Sequence, residues 1–341
     1  MRMWRPLALA AAAITMTGDA APAAAQARPV QGQSMRCNGF NLLDKFATTD
    51  PARHAEMLHK TATLENGNAV FWKLERTGRA PSFLLGTVHL TDERVALVDA
   101  TIETALDTAK VLLIENAAKP SGPTMRSSSG LLDAGVYTDG RSLDTVLSKR
   151  AFEEVRAPTG GMPPEILRRY RPWMVSLMLA ASACERQRIA NGYRVLDMVV
   201  ADFASARGIP IEGLETTEEQ ISGLAAIPED EQLGMLRATI ALIGDSENLR
   251  ETMVQLYLSR RMGVLWELQL ALAEKSGIPS AAFASFEEKV IVERNRRMRD
   301  AALPYLDQGG AFIAVGALHL AGKTGLVELL RAAGYTATAI E

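Results

Sequence analysis

The tetrapeptide Gly-x-x-His occurs twice in near-identical settings, Phe83-Leu84-Leu85-Gly86-Thr87-Val88-His89-Leu90 and Ile313-Ala314-Val315-Gly316-Ala317-Leu318-His319-Leu320. The 341 residues include only 4 histidines, so this pattern uses half of them. Each copy follows a short β-type apolar run and leads into a segment of helical spacing. Both imidazoles are therefore expected where a strand ends and the chain turns, which is where open α/β sheets build their active sites. The glycine three residues earlier lacks a Cβ, so it lets the strand bend and lets backbone or ligand approach closely. Paired neutral imidazoles suit a metal site or an acid–base site. Taken singly, each reads more simply as a polar histidine hydrogen-bonded at a strand end. The repetition turns the reading toward function.

With 48% hydrophobic and 23% charged residues, the chain has an ordinary globular composition and enough apolar material for a large core. Residues 1–27 read differently. Arg2 and Arg5 precede the apolar run Leu7 to Met16, and an alanine-rich stretch ends in Ala25-Gln26-Ala27, the pattern of a secretory signal peptide. A periplasmic or secreted protein is expected. No later stretch reaches 18 uncharged apolar residues, so no transmembrane span is expected. Cys37 follows Ser34-Met35-Arg36 well beyond the apolar run, unlike a lipid-attachment site. A net charge of −3 with both signs spread along the chain leaves no nucleic-acid footprint. The 2 cysteines, Cys37 and Cys184, are an even pair in an exported chain. They read as a disulfide tying the N-terminal arm to mid-chain, or as two buried thiols.

The element order points to an α/β fold, with α+β left open. Asn41 to Leu64 has helical spacing with Pro51 near a helix start, Ala69 to Glu75 and Ser82 to Gly86 read as a hairpin, and Glu93 to Ala109 reads as a helix before the strand Val111 to Glu115. The C-terminal end repeats the order, with strand Ala311 to Gly316, His319, helix Thr324 to Ala333, Gly334 as its cap, and strand Thr336 to Ile340. The expectation is a central mixed sheet of two related strand-GxxH-helix-strand halves with a large helical block covering a cleft. Lys119 to Arg141 reads as a loop. Asp144 to Val155, Glu165 to Gln187 and Val195 to Ala206 read as helices, and Ile209 to Glu215 as a short strand. Glu218 to about Leu303 reads as a run of helices broken near Pro228, Gly244 and Pro279. The domain reading is a signal peptide at 1–27, an arm and helix at 28–68, and one domain at 69–341. Within that domain, 69–117 and 304–341 hold the half-sites, 118–208 a loop and helices, and 209–303 the short strand and helical block.

Several of these residues, in this order, resemble the TraB/PrgY/GumN family. They are Gly86-Thr87-Val88-His89, Leu112-Leu113-Ile114-Glu115, Gly213-Leu214-Glu215-Thr216 with Gln220, Glu293-Arg294-Asn295 with Met298, and Gly316-Ala317-Leu318-His319-Leu320 with Gly322 and Gly325. The family includes the animal Tiki proteins, which are metal-dependent proteases. The resemblance therefore implies a metal-dependent hydrolase fold and a peptide or protein substrate. Arg171-Pro172-Trp173 also matches. Val195-Leu196-Asp197 departs from the family's usual Gly-Ile/Val-Asp, which weakens the transfer to Asp197.

On this reading His89 and His319 are metal ligands and Glu115 or Glu215 completes the shell. The other glutamate is then the general base. Such a set suits Mn, Fe, Co or Zn with positions left open for water, and the metal activates water and polarises a carbonyl. Arg294 is expected to hold a substrate carboxylate or an oxyanion. Glutamates at strand ends are otherwise solvated or salt-bridged, and Arg294 with Arg296, Arg297 and Arg299 reads alone as a charged helix face. There is no His-Glu-x-x-His and no Gly-x-Ser-x-Gly. Gly322-Lys323-Thr324 imitates the end of a phosphate loop, but Ala317 occupies the first glycine position. His54 and His59 lie five apart, off one helical face, and read as surface residues. The competing functions are a non-catalytic binder of a peptide, metal or haem, and an envelope accessory protein.

Overall fold

The computed structural model describes residues 35–117 and 133–340. Among these residues, six strands form one mixed sheet: β1 (Phe71–Glu75), β2 (Ser82–Thr87), β3 (Val111–Ile114), β4 (Ile211–Gly213), β5 (Ala311–Gly316) and β6 (Thr336–Ala339). Their order is β4-β3-β5-β2-β1-β6. Neighbours from β4 to β2 run parallel, whereas β1 is antiparallel to both β2 and β6. Gly78 turns the β1–β2 hairpin with φ +75°. The two GxxH-bearing strands, β2 and β5, are immediate neighbours with Thr87 opposite Gly316.

The near-continuous apolar run of β5 has a direct cause. Ala311, Ile313 and Val315 share a cluster with Met298, Leu306, Leu326 and Leu330, while Phe312 and Ala314 pack with Leu106, Leu196 and Val200. Alternate residues point to opposite faces, and helices cover both, so neither face is free to be polar. Polar groups are pushed to the strand ends, where Glu115 follows β3, Glu215 follows β4, His89 follows β2 and His319 follows β5. Four parallel strands thus deliver their next residues to one end of the sheet.

Several expected helices are shorter or divided, each for a local reason. The segment 41–64 is two helices, Leu42–Thr49 and Pro51–Ala62. Asp50 accepts from Arg53 N to start the second, and its own N–H closes the first on Phe46. The helix expected from Glu93 begins only at Ala100, where Asp99 accepts from the N–H groups of Thr101 and Ile102. Upstream, Arg94 is held outside the helix by Asp92 and Glu251. The segment 165–187 is divided among Pro164–Leu167, Pro172–Ala180 and Ala183–Ala190, broken at Pro172 and restarted by Ser182, whose hydroxyl caps Glu185 N. The short strand after Pro210 shrinks to Ile211–Gly213. The two crossovers are not equivalent, since the β2-to-β3 connection passes one strand and the β5-to-β6 connection passes two. The leader at 1–27 and most of the loop beginning at Lys119 lie outside the described residues. Cys37 and Cys184 form a disulfide with a Cα separation of 5.7 Å, joining positions 147 residues apart.

Candidate functional site

Both motif glycines are explained by close approach. A Cβ on Gly86 would lie 2.9 Å from Leu320 Cδ2 and 3.0 Å from Ala317 Cα, so the turn of the second motif packs directly on the strand of the first. On Gly316 it would lie 3.1 Å from Glu115 Oε1. The histidines nevertheless emerge differently. His319 ends a 3₁₀ turn, Ala317–His319, and is buried, whereas His89 follows β2 in irregular backbone and keeps 39% of its side chain exposed.

Each ring is anchored through Nδ1. His89 Nδ1 lies 3.0 Å from Asp197 Oδ2 as an ion-pair contact, outside hydrogen-bond geometry, and the Thr87 hydroxyl donates to Asp197 Oδ1. His319 Nδ1 lies 2.7 Å from Asn295 Oδ1, and Asn295 Nδ2 donates to Thr324 O at 2.9 Å. Turning that amide over would set its oxygen against the Thr324 carbonyl, so Oδ1 must face the ring and His319 Nδ1 must carry the proton. In both rings Nε2 is the nitrogen left over. His319 Nε2 lies 3.9 Å from Glu115 Oε1.

Arg294 ties the two glutamates together. It sits in the first turn of the helix Glu293–Leu306, directly after a π-helical segment, Glu287–Val292, and its Nη1 donates to Val290 O. Its Nε donates to Glu215 Oε1 and Oε2 at 2.9 and 3.1 Å, and its Nη2 donates to Glu115 Oε2 at 2.6 Å. Glu215 also accepts from Gln220 Nε2 at 3.1 Å, and its side chain is fully enclosed. Glu115 Oε1 accepts from Gly316 N–H at 2.6 Å. Two carboxylates against one guanidinium leave an excess negative charge beside His319.

These neighbours set the protonation states. The Asp197 carboxylate raises His89 to about 9, against the opposing cost of burial. Because part of the ring faces solvent, that charge is screened and the effective shift is smaller. Burial lowers His319 to about 4, which keeps it neutral near pH 7. Burial alone would raise Glu115. The positive charges of His319 when protonated, Arg294 and His89, with the Gly316 N–H, hold it at about 2 instead.

A different group has the tightest donor geometry. Among the described residues, Cys37, Cys184 and Glu247 offer three candidate metal-ligand atoms within 4.8 Å of one another. In the oxidised chain the two sulfurs are bonded to each other and have no thiolate to donate. Glu247 there accepts from Cys184 N and the Ser182 hydroxyl, at 2.8 and 2.9 Å. The donors of His89, His319 and Glu115 are not drawn in as tightly.

The TraB/PrgY/gumN family model matches residues 70–339. The chain belongs to that family. It is also 22% identical over 286 residues to the "Uncharacterized protein YbaP" of Shigella flexneri and to its counterpart in Escherichia coli strain K12. Each alignment covers 81% of this chain and all of the relative. No solved structure matches.

The site gathers His89, His319, Glu115, Glu215 and Arg294 with Asp197, at the end of the sheet where their strands terminate. Sequence reading gave no role to Thr87, Gln220, Tyr257 or Asn295. Tyr257 donates to Gly86 O at 2.8 Å from a helix 171 positions away, a contact that no local pattern signals. Asn295 and Gln220 were visible only as members of the family's motifs. In the Gly322 loop, the Gly322 N–H donates to Glu65 O and the Gly325 N–H to Gly322 O, so both glycine donors are already engaged.

The two histidines give the metal-free protein a pH signature. His89, raised toward 9, stabilises fully below about 6.5 and loses that contribution as pH rises through its folded value. His319, lowered toward 4, stabilises above about 6.5 and loses its contribution as pH falls. The expected result is a stability maximum near neutral pH. In Asp197→Asn the alkaline decline is expected to shrink and the His89 ring resonances to titrate at lower pH than in wild type. An unchanged His89 midpoint in that variant contradicts the pairing.

Proposed function

We propose that the chain is an exported metal-dependent hydrolase acting on peptides, in which His89 and His319 present their Nε2 atoms to one divalent ion. The observation that carries this reading is the common anchoring of the rings. Each Nδ1 faces a side-chain oxygen, through an ion-pair contact with Asp197 for one and a hydrogen bond to Asn295 for the other, and outer partners of this kind orient metal-ligating histidines. On this reading the two GxxH strands are related half-sites closed on each other.

The residues fit a cation on two counts. The carboxylate excess around Arg294 leaves a negative charge to be matched. In addition, two donors about 2.1 Å from a tetrahedral ion sit about 3.4 Å apart, and His319 Nε2 and Glu115 Oε1 are 3.9 Å apart. A bound Mn, Fe, Co or Zn ion supplies Lewis acidity and an activated water. His89 must give up its Nε2 proton to serve as a donor. Glu215, enclosed and engaged by Arg294 and Gln220, works by fixing Arg294, so ligand or base chemistry falls to Glu115. Arg294 spends its donors on the two glutamates and Val290, so it holds Glu115 in place and neutralises charge.

A second reading, a binder without turnover, is favoured by the same contacts on Glu115. A carboxylate held at about 2 by a guanidinium and a backbone N–H is a weak base at neutral pH. The two readings separate when the protein is reconstituted with each of the four metals and incubated with a peptide library analysed by mass spectrometry. New peptide termini from wild type and none from His319→Ala are expected. A metal-loaded wild type that cleaves nothing overturns the hydrolase reading and leaves the binder.

A further inference from the structure

The segment that carries His89 is gripped by two buried charges the site chemistry does not use. Leu90 N donates to Val88 O at 2.8 Å, a tight turn centred on His89. Thr91, the next residue, is fully engaged from the helix Ala183–Ala190. Its N–H donates to Glu185 Oε1, its hydroxyl accepts from Arg188 Nε at 2.9 Å, and its carbonyl accepts from Arg188 Nη2 at 2.8 Å. Thr91, Glu185 and Arg188 are all buried, at 2%, 2% and 5% exposure.

Glu185 and Arg188 form no direct ion pair with each other, and Arg188 Nη2 reaches the exposed Glu93 carboxylate at 3.7 Å. Each charge is satisfied partly through one threonine, and Glu185 Oε2 has no hydrogen-bond partner among the described residues. Burying two opposite charges side by side without pairing them to each other is costly. A packing role would be served by apolar residues. What the arrangement secures is the position of one peptide backbone, held at donor, acceptor and side chain together.

Further contacts hold the clamp itself. Arg188 Nη1 donates to Met35 O, and the guanidinium lies 4.0 Å over the Tyr193 ring. Cys184, adjacent to Glu185, is bonded to Cys37 two residues after Met35. Beyond Thr91, Asp92 accepts from the buried Arg250 at 2.9 Å.

We propose that Glu185 and Arg188 are positioning residues for His89, acting through Thr91. This rests on the metal-site reading only for its affinity consequence, since the placement of His89 is a property of the metal-free chain as well. The test pairs two readouts on Arg188→Ala, Glu185→Ala and Glu185→Gln, with Val155→Ala as a control for destabilisation, being buried in a separate helical cluster. One readout is the ¹⁵N shift of His89 Nδ1 without metal, which reports its contact with Asp197. The other is Co(II) affinity and its visible absorption.

The expected result is a displaced His89 Nδ1 resonance and at least tenfold weaker Co(II) binding in Arg188→Ala and Glu185→Ala. Glu185→Gln, which still offers Oε1 to Thr91, recovers most of both, and Val155→Ala alters neither. If Arg188→Ala fails to fold, Thr91→Val, which removes only the hydroxyl accepting from Nε, carries the comparison. Wild-type shift and affinity in the alanine variants overturn the clamp. A wild type that binds no Co(II), with the His89 resonance still displaced in Arg188→Ala, leaves the clamp standing and removes the metal reading.

Discussion

Arg294→Met is expected to cost about 3–5 kcal/mol of unfolding free energy, because removing one partner of a buried ion pair leaves the other charge uncompensated. Here two charges are left. Glu215 has a fully enclosed side chain and Glu115 one that is 15% exposed, and both lose their guanidinium contacts at once. Gln220 and the Gly316 N–H remain as single donors, too few to solvate two carboxylates. Burial then drives proton uptake, so the loss should be larger at pH 8 than at pH 5. Combining Arg294→Met with Glu215→Gln removes the more enclosed of the two stranded charges and should recover part of it. Urea unfolding of the four proteins at both pH values gives the answer. A loss under about 1 kcal/mol, with no pH dependence, would contradict the assignment of Arg294 as the charge that holds the two glutamates together.

The second large effect concerns the disulfide. Cys37 and Cys184 close a loop of 147 positions, for which chain-entropy reasoning gives about 5 kcal/mol, and measured losses for native bridges run about 2–5 kcal/mol. The double variant Cys37→Ser/Cys184→Ser, or wild type unfolded under reducing conditions, is expected to fall in the upper part of that range. The bond fastens the arm over the helix Ala183–Ala190, where Gly39 packs so closely on Glu247 that a Cβ would meet its carbonyl. The arm is also held by Leu42 N donating to the Thr252 hydroxyl at 2.8 Å and by Arg188 donating to Met35 O. Equal stability with and without reductant in guanidinium titrations would show that the arm is held by these contacts alone.

How far the sequence led depends on whether its signals were local. The apolar runs of β2, β3 and β5 were legible because both sheet faces are covered, and the charged residues that follow them were legible because they interrupt those runs. Helix breaks were legible where proline or glycine makes them, at Pro51, Pro228, Gly244 and Pro279, but not where a polar cap does. Asp99 and Ser182 act as caps inside stretches whose apolar spacing continues across them, so periodicity alone joined what capping divides. The sheet order was also beyond reach, since nothing local says that β5 inserts between β2 and β3. At the site, the histidines and glutamates stood out by position, but their partners did not. Asp197 was discounted because its neighbours depart from the family's motif, yet it lies 3.0 Å from His89 Nδ1. Asn295, next to Arg294 in sequence, orients His319. Thr91, Glu185 and Arg188 carry no pattern at all, because their relation exists only once a helix 94 positions away is folded against the turn.

The central claim is that His89 and His319 serve one ion, and the most direct measurement is metal content per chain. Protein purified without chelators, and again after reconstitution with Mn, Fe, Co or Zn, is compared by elemental analysis with His89→Ala and His319→Ala, each verified as folded by circular dichroism. The account predicts about one ion per wild-type chain and near-complete loss in both variants. A wild type that holds none of the four metals, or variants that each keep the full complement, would contradict it.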